Sequence, residues 1–409
     1  MYLAVLNLSR DIPTTMDFVT EKAYLNKEWL ESKLPDGDTV VSVSTPNQEK
    51  LGGMSAEIIF LNAELADGRS LPLIIKKSPD QLSQLRVTTG CAREALFYQE
   101  CSKYLGDVVA RTYHTHANMK TGEMAILMDC CTNSVPLGVF FGPSNPNNWS
   151  IKDTIESMCE GNPGPKAASS AAFSLYAKLH GTYWRDESLK SKTFLRCSDW
   201  IQGQGRETWQ GSQDMARKWW ENAKTAMDAG TSHIHWDPHL VECLNVSFGK
   251  VDWDNFQSEL GARPFSLVQG DAHPHNVLWV EQRTESACCK LIDFEQVGLG
   301  SPAQDIGQFL VSHMPPATRR EVETELLTQY HEELLDVLKA SGKEAKYSFA
   351  DCWAEYVAGG FGRWAWFMAY FSMPTFSDKG PLSQFFHDQV AAFAKDHIKI
   401  AGNAPMPRV

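Results

Sequence analysis

Residues 267–280 read LVQGDAHPHNVLWV, with Asp271, His273, His275 and Asn276 held between two apolar flanks. Short apolar runs bounded by turn residues read as buried strands, so the polar set sits on a connection at the mouth of a core. Three readings suit it: a His-x-His metal pair, an ordinary turn around Gly270 and Pro274, or a catalytic loop.

The metal reading is the weakest. A zinc site needs three or four ligands in tetrahedral array. His273 and His275 flank a proline and need not converge, and HEELL at 331–335 lacks the second histidine of His-Glu-x-x-His. Two histidines holding the loop by hydrogen bonds is the better reading.

A dinucleotide reading arises from GLGSPA at 298–303, which matches G-x-G-x-x-A between LIDFEQV, read as a strand, and the helical AQDIGQFL. Against it stand Pro302 and Asp305 at the helix start, and no second β-α unit follows. Asp293 and Glu295, placed on that strand, would also face the pyrophosphate.

Phosphoryl transfer fits best. Kinase catalytic loops carry an Asp that takes the proton of the attacking hydroxyl and, five positions on, an Asn that holds magnesium. Asp271 and Asn276 have this spacing, and Asp293 supplies a second hard oxygen ligand shortly downstream. Earlier segments provide the other parts in order. LGGMSAEIIF sets Gly52, Gly53 and Ser55 in a turn whose backbone N–H groups can approach phosphates. LPLIIKK ends a strand on lysine, and Glu94 in CAREALFYQEC lies on the next helix as its ion-pair partner. Each piece alone reads as a hairpin, a solvated strand end or a surface helix. Their order is the signal. No G-x-x-x-x-G-K-[ST] occurs, which excludes a P-loop enzyme.

The elements that must position these residues are legible in outline. Residues 22–34 have helical spacing; VVSVS, AEIIFLNAEL, LPLIIKK and AILMDC read as strands, with one helix embedded before the last. PLGVFFGPSNPNNW reads as a connection between lobes. Beyond it the pattern is mainly helical: AASSAAFSLYAKLHGTYW, MARKWWENAKTAM, ETELLTQYHEELLDVLKA and LSQFFHDQVAAFAKDH all repeat apolar residues at i, i+3/i+4. The expected domains are residues 1–131, a small antiparallel β lobe with an N-terminal helical extension, and 132–409, a larger helical lobe.

Composition sets the remaining bounds. A chain of 409 residues, 43% hydrophobic and 22% charged, is folded and too long for one ordinary core. Its net charge of −12 argues against a nucleic-acid partner. No segment reaches membrane-span length, and the N-terminus lacks the basic region of a signal peptide. Ten cysteines without a Cys-x-x-Cys read as free thiols, which places the expected protein in the cytoplasm.

GDAHPHN, LIDFE with GSPAQDIG, LGGMSA, REALFY and AKLHGTYW together resemble the aminoglycoside phosphotransferase and choline kinase-like superfamily. TQYHEELL and AEYVAGGFGRW are closest to its ecdysteroid kinase-like branch. The resemblance spans roughly residues 25–395. It implies a bilobal α+β, protein-kinase-like fold and an ATP- and Mg2+-dependent transfer of the γ-phosphoryl to a hydroxyl of a small metabolite. Carried over by position, Asp271 is the base, Asn276 and Asp293 bind magnesium, and Lys76, paired with Glu94, contacts the α/β-phosphates. Lys76 is preferred to Lys77 by the apolar–apolar–Lys-x-x-Pro pattern and by the alternation of strand side chains. Backbone atoms of Asp129 and Cys131 face adenine, while His180 and Asp305 brace the catalytic loop. Gln269 stands where the family usually has His; it can donate a hydrogen bond but cannot carry a proton. A nucleotide-binding pseudokinase of the same fold is therefore the alternative, with a NAD-dependent oxidoreductase behind it.

For the acceptor, Trp364, Trp366, Phe367, Tyr370 and Phe371 form an aromatic run that suits either a caged cation, a stacked flat alcohol or plain helix packing.

Overall fold

The computed structural model describes residues 23–46, 56–79, 87, 90–159, 163–284 and 287–408. The chain divides into two units: residues 1–95 with 111–130, and residues 96–110 with 131–409.

In the first unit, a short helix α1 (Lys27–Glu31) precedes strands β1 (Val40–Ser44), β2 (Glu57–Leu65) and β3 (Ser70–Lys77). Helix α2 (Arg93–Glu100) begins in this unit, and β4 (Thr112–Asn118) and β5 (Glu123–Asp129) complete it. The helix expected over 22–34 contracts to α1 because Asn26 caps it, its side chain accepting from the Trp29 N–H at 2.7 Å. The sheet is antiparallel in the order β1-β2-β3-β5-β4. Alternation along β2 and β3 sends Leu61, Ala63, Leu65, Leu73 and Ile75 into one core with Leu30 and Leu34. Strand β4 was not foreseen. Its TYHTHAN carries no apolar alternation, every residue is half-buried, and pairing with β5 supplies what propensity does not.

The second unit contains β6 (Ser134–Pro136), then helices α3 (Ile155–Cys159), α4 (Pro165–Thr182), α5 (Ser198–Ile201), α6 (Arg206–Asp228), α7 (Pro238–Gly249) and α8 (Trp253–Ala262). Strands β7 (Ser266–Val268), β8 (Val277–Thr284), β9 (Ala287–Leu291) and β10 (Gly298–Gly300) follow, and then helices α9 (Pro302–His313), α10 (Pro316–Ala340), α11 (Phe349–Phe371) and α12 (Gly380–His397). The expected division at residue 131 is contiguous, whereas residues 96–110 group with the second unit. The reason is aromatic packing: the Phe97 ring stacks on Phe294 with centroids 3.8 Å apart, and Val109 bridges to Leu291.

Helix α9 positions the site, and every one of its residues is buried. It crosses α11 closely because Gly307 and Gly360 meet there; a Cβ on Gly307 would lie 2.7 Å from the Gly360 Cα. Complete burial of a helix requires its polar side chains to find partners, and Asp305 and Gln308 find them in the connection after β7.

One expectation needs correction, and one rejected motif gains a structural reason. Strand β9 ends at Leu291, so Asp293 and Glu295 lie beyond it, with Asp293 in the left-handed region at φ 60°. GLG is itself a strand, β10, which pairs antiparallel with β7. A dinucleotide fingerprint needs a glycine turn between a parallel strand and its helix, so GLGSPA is not one. Nine of the cysteines are thiols outside any disulfide. No helix among the described residues is long and apolar enough to cross a membrane.

Candidate active site

In the first unit, β3 and α2 bring Lys76 to Glu94, Nζ to Oε2 at 2.6 Å, with the two side chains 14% and 2% exposed. Neighbouring Lys77 points the other way, as strand alternation requires, and pairs with Glu57 at 3.0 Å. The Asp129 N–H donates to the Arg111 carbonyl at 2.9 Å, and its carboxylate accepts from the Tyr113 hydroxyl at 2.6 Å. Gly52, Gly53 and Ser55 lie outside the described residues.

In the second unit, the connection from β7 to β8 turns at Gly270 (φ 78°), where a Cβ would lie 2.1 Å from the Gln296 carbonyl oxygen. Only glycine fits. The Asp305 carboxylate accepts the Gln269 N–H at 2.7 Å and the Gly270 N–H at 3.1 Å, one oxygen each. His180 Nε2 lies 3.3 Å from the same carboxylate, and its Nδ1 is 2.8 Å from the Tyr330 hydroxyl. Asp305 and His180 are both fully buried, and the Asp305 side chain is held in the core by two backbone donors and an imidazole.

Asp271 comes next and is the most open member of the loop, its side chain 36% exposed. Gln308 Nε2 donates to its Oδ1 at 3.2 Å. Asn276 Nδ2 donates to its Oδ2 at 3.3 Å and to its backbone oxygen at 3.0 Å. The five-residue spacing thus closes the loop on itself. Both of these contacts use the amide nitrogen of Asn276, so its side-chain oxygen is the atom turned toward other duties. Cys131, at the start of this unit, accepts at its carbonyl from Ser134 Oγ at 2.7 Å.

The histidines scaffold the loop. His273 Nδ1 accepts the His275 N–H at 3.2 Å and its Nε2 lies 3.7 Å from Asp271 Oδ2. His275 Nε2 is 3.4 Å from Asn148 Oδ1, while Asn148 Nδ2 donates to the Gly138 and Gly142 carbonyls at 2.9 and 2.8 Å. Gly138 leaves room for the imidazole: a Cβ there would sit 1.9 Å from the His275 ring. Burial, reinforced by His273, pushes His275 down to about 3, and buried His313 beside both is also held well below the usual range. Both stay neutral at ordinary pH.

Gln269 is fully buried and uses its whole amide. Its Oε1 accepts from the Tyr176 hydroxyl at 2.5 Å, and its Nε2 donates to the Ile292 carbonyl at 2.5 Å. A glutamine suits a position that must accept on one side and donate on the other.

Sequence reasoning missed Tyr176, Gln308 and Arg363. Arg363, on α11 and 4% exposed, donates from Nη2 to the Gly270 carbonyl at 3.1 Å. Gln308 had a signal, since it sits three residues after Asp305 on one helix face. Arg363 had none within its own stretch. The aromatic run on the same helix packs inward: Trp364 lies 4.9 Å from Phe386, and Trp366 and Tyr370 stack together with Trp219 edge-on to both.

Among solved structures, choline kinase from Cryptosporidium parvum Iowa II matches at a TM-score of 0.50 and 7% identity, over 94% of this chain and 96% of that one. The chain shares the fold of that choline kinase. Also similar are macrolide 2'-phosphotransferase from Brachybacterium faecium (TM-score 0.42, 15% identity, 95% and 99% covered) and an ethanolamine kinase from Plasmodium vivax (0.45, 11%, 92% and 88%). A family model, DUF1679, described as "Uncharacterized oxidoreductase dhs-27", matches residues 244–374; that family is the ecdysteroid kinase-like one. No curated protein matches the chain by sequence.

Proposed function

We propose that the chain is a small-molecule kinase that moves the γ-phosphoryl of ATP to a hydroxyl of a metabolite, with Asp271 as base. The observation that carries this reading is the closed loop from Asp271 to Asn276, hung by two backbone N–H groups from Asp305. Such a loop holds a carboxylate open to an incoming alcohol while fixing its orientation, which is most of what phosphoryl transfer asks of a protein.

The donor set suits magnesium, a hard cation that prefers oxygen ligands and keeps several waters. Asn276 through its side-chain oxygen and Asp293 through its carboxylate would hold it. When bound, magnesium neutralises charge developing on the phosphates. Lys76, oriented by Glu94, would contact the α/β-phosphates, Gly52, Gly53 and Ser55 would line the phosphates, and backbone atoms of Asp129 and Cys131 would meet adenine. Asp271 accepts the alcohol proton; Gln308 and Asn276 keep its two oxygens aimed.

Against the oxidoreductase wording stands the antiparallel pairing of β10 with β7, which leaves no dinucleotide turn at GLGSPA. Against the pseudokinase alternative, the Gln269 amide is fully engaged in bracing the loop and takes the place of a donor, not of a proton carrier. A library of hydroxyl-bearing metabolites, amino alcohols and flat apolar alcohols included, is screened for magnesium-dependent ATP consumption. Consumption with one acceptor class supports the reading. No consumption, together with thermal protection by NAD and none by magnesium-ATP, overturns it.

A further inference from the structure

A cavity of about 310 Å³ lies wholly within the second unit; Gly270 lines it and Asp271 does not. Its lining is unusual for a chain of net charge −12: Arg185, Lys190, Arg196, Arg263 and Arg408 all face it. Glu187, Glu259 and Glu355 offset part of that charge. Lys190 pairs with Glu187 at 2.7 Å and Arg263 Nε with Glu355 at 2.7 Å. Arg185 and Arg196 have no ion-pair partner among the described residues.

Arg196 is firmly based. Its N–H donates to the Val297 carbonyl at 3.2 Å and its carbonyl accepts from the Leu299 N–H at 2.9 Å, a bridge that needs Gly298, whose added Cβ would lie 2.8 Å from that of Arg196. The Arg196 main chain is thus fixed at the cavity wall. Buried Arg363, which holds the Gly270 carbonyl, feels the same surplus: burial, with Arg196 second, pushes it down to about 9. The other wall is aromatic, with half-buried Trp200 and Phe256 edge-to-face at 6.2 Å. Gln213, 1% exposed, also lines the cavity and leaves its Oε1 without a partner among the described residues.

We infer that this cavity binds an organic anion, a carboxylate, sulfate or phosphate monoester carried on a flat apolar body. The head would neutralise Arg196 and Arg185, and the body would lie against Trp200 and Phe256. Guanidinium groups match such heads bidentately, and the volume is at the lower end of small-ligand pockets. Because Gly270 lines the cavity and precedes Asp271, an occupant sits against the residue next to the proposed base. The inference does not depend on the phosphotransferase reading.

The test uses the full chain and two fluorescent probes of one shape, 8-anilinonaphthalene-1-sulfonate and its uncharged counterpart N-phenyl-1-naphthylamine. The expected result is saturable one-site binding of the sulfonate, at least about tenfold tighter than the neutral probe, one ion pair's worth of affinity. Arg196→Gln loses about tenfold for the sulfonate and nothing for the neutral probe, and Arg196→Lys recovers most of it. Arg185→Gln, at an exposed side chain, gives a smaller loss in the same direction and guards against a misfolded Arg196 variant. Equal affinity of the two probes, or sulfonate binding unchanged in both glutamine variants, overturns the assignment.

Discussion

The Tyr176 hydroxyl donates to Gln269 Oε1 at 2.5 Å, with both residues fully buried. Through this contact helix α4 holds the residue two before Asp271, and Gln269 passes the hold on to the Ile292 carbonyl. Replacing Gln269 by Leu strands a hydroxyl and a carbonyl in the core. The expected cost is about 2–6 kcal/mol, at 1–3 kcal/mol for each orphaned group, read from urea unfolding. Gln269→His, which restores one donor, should cost less. Equal stability of the leucine variant and wild type would refute the bracing role.

Gly138 and His275 give a second test. Alanine at 138 drives a methyl into the imidazole, and overpacking of this kind costs about 1–3 kcal/mol. The displaced ring carries the loop with it, so activity should fall more than stability does. An active, fully stable Gly138→Ala would mean that the ring has room the geometry denies it.

The buried histidines give a pH test with a definite sign. His275 in the fold titrates near 3 against an ordinary 6.5, and His313 is shifted the same way. Below pH 6.5 the unfolded chain takes up protons that the fold refuses. This contribution is therefore fully present above pH 6.5 and is lost as pH falls from there toward 3, at up to about 1.4 kcal/mol per pH unit for each histidine. His275→Gln should flatten the slope between pH 7 and 5. A slope unchanged by that substitution would place the titration elsewhere.

The two adjacent lysines separate by role. Lys76→Met removes the partner of a carboxylate 2% exposed, so it should weaken ATP binding and cut kcat/KM by about 10²-fold or more, the scale of one lost electrostatic contact in a transition state. Lys77→Met, whose Glu57 partner is 35% exposed, should change kcat/KM less than tenfold. Initial rates against ATP concentration distinguish them, and the reverse order would move the phosphate contact to Lys77.

What the sequence made legible was what is local. Asp271 and Asn276 share one loop, so their spacing alone carried the geometry, and the long helices announced themselves by periodicity. Strand β4 was hidden because a polar strand is made by its neighbour rather than by its own residues. The end of β9 before Asp293 was hidden too, since apolar pattern and acidic residues run together there. Tyr176 and Arg363 reach the loop from 93 residues away on either side, through packing that no short motif encodes.

The central claim is that Asp271 takes the proton of an acceptor hydroxyl. The direct measurement is magnesium-dependent transfer of labelled γ-phosphoryl from ATP, comparing wild type with Asp271→Asn at matched nucleotide occupancy. The expected result is labelled organic phosphate from wild type, with turnover about 10²–10⁴-fold lower in the variant and ATP affinity preserved. Near-normal turnover by Asp271→Asn would contradict it.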